Sequence, residues 1–340
     1  MLGFIYSSKT QSALLVILVI FCPLAIDIYL PALPIIASTF QVDSVLAQGT
    51  ITWFLFAMGV GQLFVGPLAD KFGRRTVALC GVTIYLVSSL LAWSAQNIEW
   101  MLMSRLLQGL GASATSVAAF AVVSGVLVFF MMKETSPKTG KQAVFLVSRY
   151  WSVLSTPSFV FHALLCLMTM AVLLAYVTSA PLVLMTGMGL SMDEFTFWFG
   201  INATINIVGC MLAPKLMNRL GTRNTLVAGL FILVLAGVLI MAMNGRNTAL
   251  SFMAPIFISS IGFTMILGGA AGKALAPFGD KAGTAAALLG LFQMSGSGLL
   301  VGAIQRLPFE PQILLAIHMW ILFPALFFLC ASSINKRLKL

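Results

Sequence analysis

Apolar residues run in long, barely interrupted stretches at 12–36, 46–68, 76–95, 100–132, 159–186, 195–216, 224–243, 249–270, 282–305 and 311–333. Each reaches the roughly 20 residues that a helix needs to cross a hydrocarbon core. The runs are too long and alternate too little for a barrel, and isolated strands would leave backbone groups unpaired in lipid, so helix is the predicted conformation throughout. The pattern predicts an all-α membrane protein of about ten transmembrane helices. Lys9 ahead of the first run imitates a signal peptide, but that run is too long for a signal core. It also contains Asp27, Pro31 and Pro34, and reads as a retained helix.

The polar segments between the runs test this threading. With the N-terminus inside, 16 of the 19 Lys and Arg residues fall in inner segments; Arg246 and Arg306 fall outside, and Arg105 lies within a span. That asymmetry predicts cytoplasmic termini at both ends of a multi-pass chain. The outer loops collect Asp43, Glu99, Asp193, Glu194 and Glu310. The longest polar stretch, 133–156, reads as a cytoplasmic linker between an N-terminal half, 1–132, with four helices, and a C-terminal half, 157–340, with six. An internal echo fits a two-half plan: Asp70-Lys71-Phe72-Gly73-Arg74-Arg75 follows the second span, and Asn218-Arg219-Leu220-Gly221-Thr222-Arg223 follows the sixth.

Composition agrees, since 60% hydrophobic against 8% charged residues cannot cover a water-exposed surface. The net charge of +10 would suggest nucleic acid in a soluble protein, but here it is the inner-loop bias, and no nucleic-acid partner is expected. Cysteines 22, 80, 166, 210 and 330 lie in apolar runs without a C-x-x-C pair and read as small packing residues. His162 and His318 stand alone, so no metal is expected, and the absence of nucleophile-elbow, Walker or dinucleotide motifs argues against an enzyme or an ATP-driven pump. Gly268 with Gly272, and Gly298 with Gly302, have the small-x-x-x-small spacing of close helix packing within the chain.

Two charges lie inside the membrane, Asp27 and Arg105, and each is costly there unless paired or hydrated. At about 1.5 Å rise per residue both fall in the outer half of the bilayer, where they could meet. Two readings stand: a packing ion pair, or a protonatable carboxylate tuned by a guanidinium. The second constellation is the short inner loop Gly66-Pro67-Leu68-Ala69-Asp70-Lys71-Phe72-Gly73-Arg74-Arg75, whose glycines permit a tight turn and whose Asp70 is placed to pair with the basic residues or a helix end.

This string resembles the inner-loop signature of the major facilitator superfamily, matching at Gly66, Leu68, Asp70, Gly73, Arg74 and Arg75. Arg105-Leu106-Leu107-Gln108-Gly109-Leu110-Gly111-Ala112 is similar to the superfamily's R-x-x-Q-G-x-G-A signature. Asp27-Ile28-Tyr29-Leu30-Pro31-Ala32-Leu33-Pro34 resembles the Bcr/CflA branch of drug:proton antiporters, as do Ala180-Pro181-Leu182 and the 274–285 segment, close to the chloramphenicol-efflux type. The resemblance implies proton coupling and substrate response at Asp27, Tyr29, Arg105 and Gln108. It implies an inner gate at Gly66, Asp70, Gly73, Arg74 and Arg75, with the echo Asn218, Arg219, Gly221 and Arg223 as the second-half gate.

Members of that family have twelve helices, six per half. Here 100–132 opens like family helix four and closes like helix six, so it reads as a fusion near 123–125 that removes two crossings and preserves the sidedness of every later loop. The family's Gly-Pro-rich antiporter motif goes with helix five. The expected function is secondary export of small amphipathic drug-like compounds across a bacterial inner membrane, driven by protons with no cofactor. The expected state is a monomer whose uncovered helix faces leave association open. The alternatives are an internally deleted, transport-defective paralogue or membrane scaffold, and an exporter of a metabolite.

Overall fold

The computed structural model describes residues 26, 29–116, 147–278 and 281–330, apart from the side chains of 66, 69, 70, 74, 75, 115, 116 and 282. Asp27, the 123–125 junction, most of the 133–156 linker and both chain ends lie outside the described residues, as do the side chains of Asp70, Arg74 and Arg75. All regular structure among the described residues is helical.

A 3-10 turn at Leu30–Ala32 leads into α1 (Leu33–Phe40) and then α2 (Ser44–Phe72), α3 (Arg74–Trp93) and α4 (Ile98–Ser116). After α5 (Val147–Leu154) come α6 (Pro157–Pro181), α7 (Met192–Leu220), α8 (Thr222–Ala242) and α9 (Ala249–Leu275). α10 (Ala282–Leu291) and α11 (Ser297–Ile304) form one span around a π-turn, and α12 (Pro311–Trp320) and α13 (Phe323–Cys330) form another. Eight helical spans among the described residues are long and apolar enough to cross a membrane. They coincide with eight of the ten predicted runs; α1 and α4 are the described parts of the other two.

Several helices begin with side-chain caps. α2, α4, α7 and α9, which start on the predicted outer side, are capped by side chains. Asp43 Oδ1 accepts from Leu46 N, Asn97 Oδ1 from Trp100 N, Ser191 Oγ from Glu194 N and Thr248 Oγ1 from Ser251 N. Glu194 completes a capping box by accepting from Ser191 N at 2.8 Å. The acidic residues Asp43 and Glu194 thus satisfy helix N-termini, where the macrodipole favours negative charge. α3 and α8 begin instead directly from Gly73 and Gly221.

The chain divides into two compact units, one ending at Val147 and the other starting at Ser148. In the first, α4 packs against both α2 and α3. In the second, α9 is central and packs on α6, α7 and α8, while α8 also carries α12 and α13. The α8–α9 crossing is very close: a Cβ on Gly262 would stand 2.7 Å from the Gly229 carbonyl, and one on Gly229 3.0 Å from the Gly262 carbonyl.

Two expectations are corrected, and the linker region gains a helix. The last part of the predicted linker is helical: α5 buries Val153 and exposes Trp151, and Lys281 Nζ donates to its Ser152 at 2.9 Å. Polar residues at helical spacing around one buried position read as a linker on average polarity alone. Gly268 and Gly272 make no close crossing, since a Cβ on Gly272 would meet nothing within 4 Å; the crossing uses Gly229 and Gly262, which are far apart in sequence. Among the described cysteines only Cys166 is a packing residue, because Cys80, Cys210 and Cys330 are exposed.

Candidate functional site

Arg105 lies about 10 Å along α4 from its start, seven residues in at about 1.5 Å each. It is 4% exposed, which makes it the buried cation of the first unit that the sequence singles out. Its guanidinium carbon sits 3.8 Å from the centroid of the Tyr29 ring and 4.8 Å from that of Phe54. Two aromatic faces therefore replace part of its hydration, each worth about 0.5–2 kcal/mol. One edge of the fork is also held: Nη1 donates to Gln108 Oε1 at 2.8 Å, and Gln108 Nε2 donates to Ser89 Oγ on α3 at 3.0 Å. Ser89 in turn donates to the Tyr85 carbonyl.

The remaining donors, Nε and Nη2, have no hydrogen-bond partner among the described residues. A buried guanidinium with free donors is costly, and its geometry suits a carboxylate or another planar anion. Tyr29 is fixed as well, since its hydroxyl donates to Thr50 Oγ1 at 2.9 Å and Thr50 donates to the Ala47 carbonyl. Three of the four predicted coupling residues, Tyr29, Arg105 and Gln108, therefore meet in one buried cluster. The fourth, Asp27, lies outside the described residues, two positions before Tyr29 in the chain.

The glycines that follow Arg105 make this cluster possible. A Cβ on Gly109 would collide with the Phe54 carbonyl on α2, and one on Gly111 would stand 2.7 Å from Tyr85 N on α3. Gly109 lets α4 touch α2 and Gly111 lets it touch α3, so Arg105 reaches Phe54 on one side and Gln108 reaches Ser89 on the other. Sequence reasoning missed Thr50, Phe54 and Ser89, since single hydroxyls and a phenylalanine in apolar helices carry no periodic signal.

The two inner loops share one backbone conformation. Gly73 has φ 88° and ψ 141°, and Gly221 has φ 80° and ψ 151°. Both are the sole residues between consecutive helices, in a region essentially restricted to glycine. Gly66 is near the end of α2 beside Pro67, with Asp70 in its last turn and Arg74 and Arg75 opening α3. On the second loop Asn218 and Arg219 are exposed in the last turn of α7. Arg223 is tied elsewhere: its Nε and Nη2 donate to the Leu329 carbonyl of α13 at 3.1 and 2.7 Å.

The second unit adds a buried polar cluster that sequence reasoning also missed. Ser260 on α9 donates to Asn202 Oδ1 at 2.7 Å, and Asn206 Nδ2 donates to Ser260 Oγ and to the Asn202 carbonyl. Asn206 Oδ1 is buried without a hydrogen-bond partner. The signal was present, because two amides inside an apolar span are as anomalous in lipid as charges are. His162 and His318 serve their own helices, with Nδ1 at 2.7 Å from the Ser158 and Leu314 carbonyls.

The family profile described as Major Facilitator Superfamily matches residues 15–127 and 115–301. The chain belongs to that superfamily. The overlap of the two matches, 115–127, contains the 123–125 junction read from the sequence. The multidrug resistance protein MdtL of Salmonella paratyphi A is 25% identical over 346 positions, covering 84% of this chain and 85% of its own. That of Salmonella typhimurium has the same identity and coverage. About 60 positions of the paratyphi protein (346 less 84% of 340) have no counterpart here, the length of two membrane spans with their loops.

Among solved structures, a point mutant of the nucleoside transporter NupG superposes with a TM-score of 0.69 at 11% identity, over 94% of this chain and 100% of its own. A bacterial homologue of the iron transporter ferroportin gives 0.62 at 16% identity, over 94% and 98%. The fold is therefore the all-helical one of these structures, and membership of the Major Facilitator Superfamily makes the chain a transporter and not an enzyme.

Proposed function

We propose that this chain is a secondary multidrug exporter that moves small amphipathic drug-like compounds out across a bacterial inner membrane in exchange for protons, with its two halves alternating access and both termini cytoplasmic. The observation that carries this reading is Arg105, buried between Tyr29 and Phe54 with two donors unoccupied. Asp27 is the carboxylate that the sequence supplies nearby. In this reading a proton on Asp27 changes the net charge that the Arg105 guanidinium experiences, so protonation biases the conformational equilibrium. The named function of the MdtL relatives supports the choice of cargo, and the resemblance of the 27–34 segment supports the Bcr/CflA branch.

The single-glycine hinges at Gly73 and Gly221 suit inner gates, with Asp70, Arg74 and Arg75 on one and Asn218, Arg219 and Arg223 on the other. A second reading, an internally deleted paralogue that no longer transports, is favoured by the roughly 60 positions missing against MdtL. Everted vesicles loaded with a pH-sensitive dye and given ethidium or chloramphenicol separate the two. The exporter reading expects drug-dependent proton movement that Asp27→Asn abolishes at unchanged membrane level. Undiminished movement in Asp27→Asn would sink the coupling role, and no movement in the wild type would favour the second reading.

A further inference from the structure

α7 and α9 enclose a groove of about 670 Å³ walled by Ile205, Val208, Leu212 and Leu216 from the first and Ile261 and Met265 from the second. Its lining contains no acidic residue, and it ends at Lys215 and Arg219. Those cations are four residues apart on one helix, so they share a face and repel each other. Both are exposed, and neither is bonded to a described residue. α7 is 29 residues long, about 43 Å, against a hydrocarbon core of about 30 Å. With its midpoint at 206 on the bilayer midplane, Leu216 lies about 15 Å away, at the edge of the core. Lys215 then sits about 14 Å from the midplane, at the core edge with a side chain long enough to reach the headgroups, and Arg219 about 20 Å, at the depth of headgroup phosphates.

The apolar part of the groove thus runs from the midplane to one membrane surface and stops at two unpaired cations. A helix of a second copy would need a groove through both leaflets. A drug held at the midplane would leave the cations unused. We infer that this groove is a binding site for an anionic phospholipid of the cytoplasmic leaflet, with an acyl chain along α7 and α9 and the phosphate between Lys215 and Arg219. The site is independent of proton coupling, and its test reads lipid retention instead of transport.

The full chain purified in mild detergent is mixed with phosphatidylglycerol and phosphatidylcholine of matched chains, and retained lipid is counted by native mass spectrometry. Two surface cations set the expected preference for phosphatidylglycerol at about 30-fold. Lys215→Gln with Arg219→Gln removes the preference, Val208→Trp fills the groove and removes retention with both cations present, and Arg246→Gln on the opposite side leaves both intact. Inorganic phosphate at millimolar level does not displace the lipid, because the acyl chain supplies much of the binding. Equal retention of the two lipids by the wild type, or an unchanged preference in the double variant, overturns the site. Displacement by phosphate alone reduces it to an anion site, and a dimer that Val208→Trp dissociates assigns the groove to a second copy; either result overturns the lipid assignment.

Discussion

Gln108→Leu tests the buried cluster most directly. In the wild type Gln108 accepts the only hydrogen bond that Arg105 makes with a described residue, at 2.8 Å, while its amide reaches Ser89 at 3.0 Å. Leucine has a similar volume, so packing around the 6%-exposed side chain is conserved and the loss is polar. A hydrogen bond to a charged group contributes about 1.5–3 kcal/mol. Ser89 retains its bond to the Tyr85 carbonyl and adds little to the cost.

The aromatic contacts at 3.8 and 4.8 Å still hold the guanidinium, so it stays in place with fewer bonds and is not expelled. The expected destabilisation is about 2–3 kcal/mol, a factor of about 30–150 in the unfolding equilibrium. It would be read as the midpoint shift in a reversible sodium dodecyl sulfate titration of purified protein in mixed micelles. Gln108→Glu, which supplies a carboxylate to the same nitrogen, should recover most of the loss. A Gln108→Leu midpoint within about 0.5 kcal/mol of wild type would refute the cluster as a source of stability.

Other outcomes follow from backbone geometry. Gly109→Ala drives a methyl into the Phe54 carbonyl and should separate α2 from α4 at a cost of about 1–3 kcal/mol, measured in the same titration. Gly73→Ala and Gly221→Ala each force an L-residue into a glycine-only region and should lose about 1–3 kcal/mol; Asn substitutions should not rescue, since these angles are not those of a left-handed helical turn. Ser191→Ala removes one partner of the α7 capping box and should cost about 1 kcal/mol, detectable as faster hydrogen exchange at Glu194 and its neighbours.

Much of this protein was legible because lipid simplifies the code. Backbone groups that cannot reach water must close their own hydrogen bonds, so hydropathy and length specified eight described spans to within about five residues at each end, and loop charges alone carry the expected orientation. The signature residues named Tyr29, Arg105, Gln108, Gly73 and Gly221, and anomalous charge in an apolar run named Arg105 without any resemblance. What sequence could not supply was the identity of neighbours. Phe54, Thr50 and Ser89 matter because α4 lies within touching distance of α2 and α3, and that distance is set by two glycines meeting particular carbonyl and amide groups. The Gly229–Gly262 crossing and the Asn202–Asn206–Ser260 cluster likewise join residues more than 30 positions apart, which no local period encodes. Periodicity and charge act along one chain segment, and so they determined which stretches are helices and how they thread the membrane. Packing acts between segments, and only the tertiary structure decided which side chains Arg105 meets and where Lys215 and Arg219 come to line a groove.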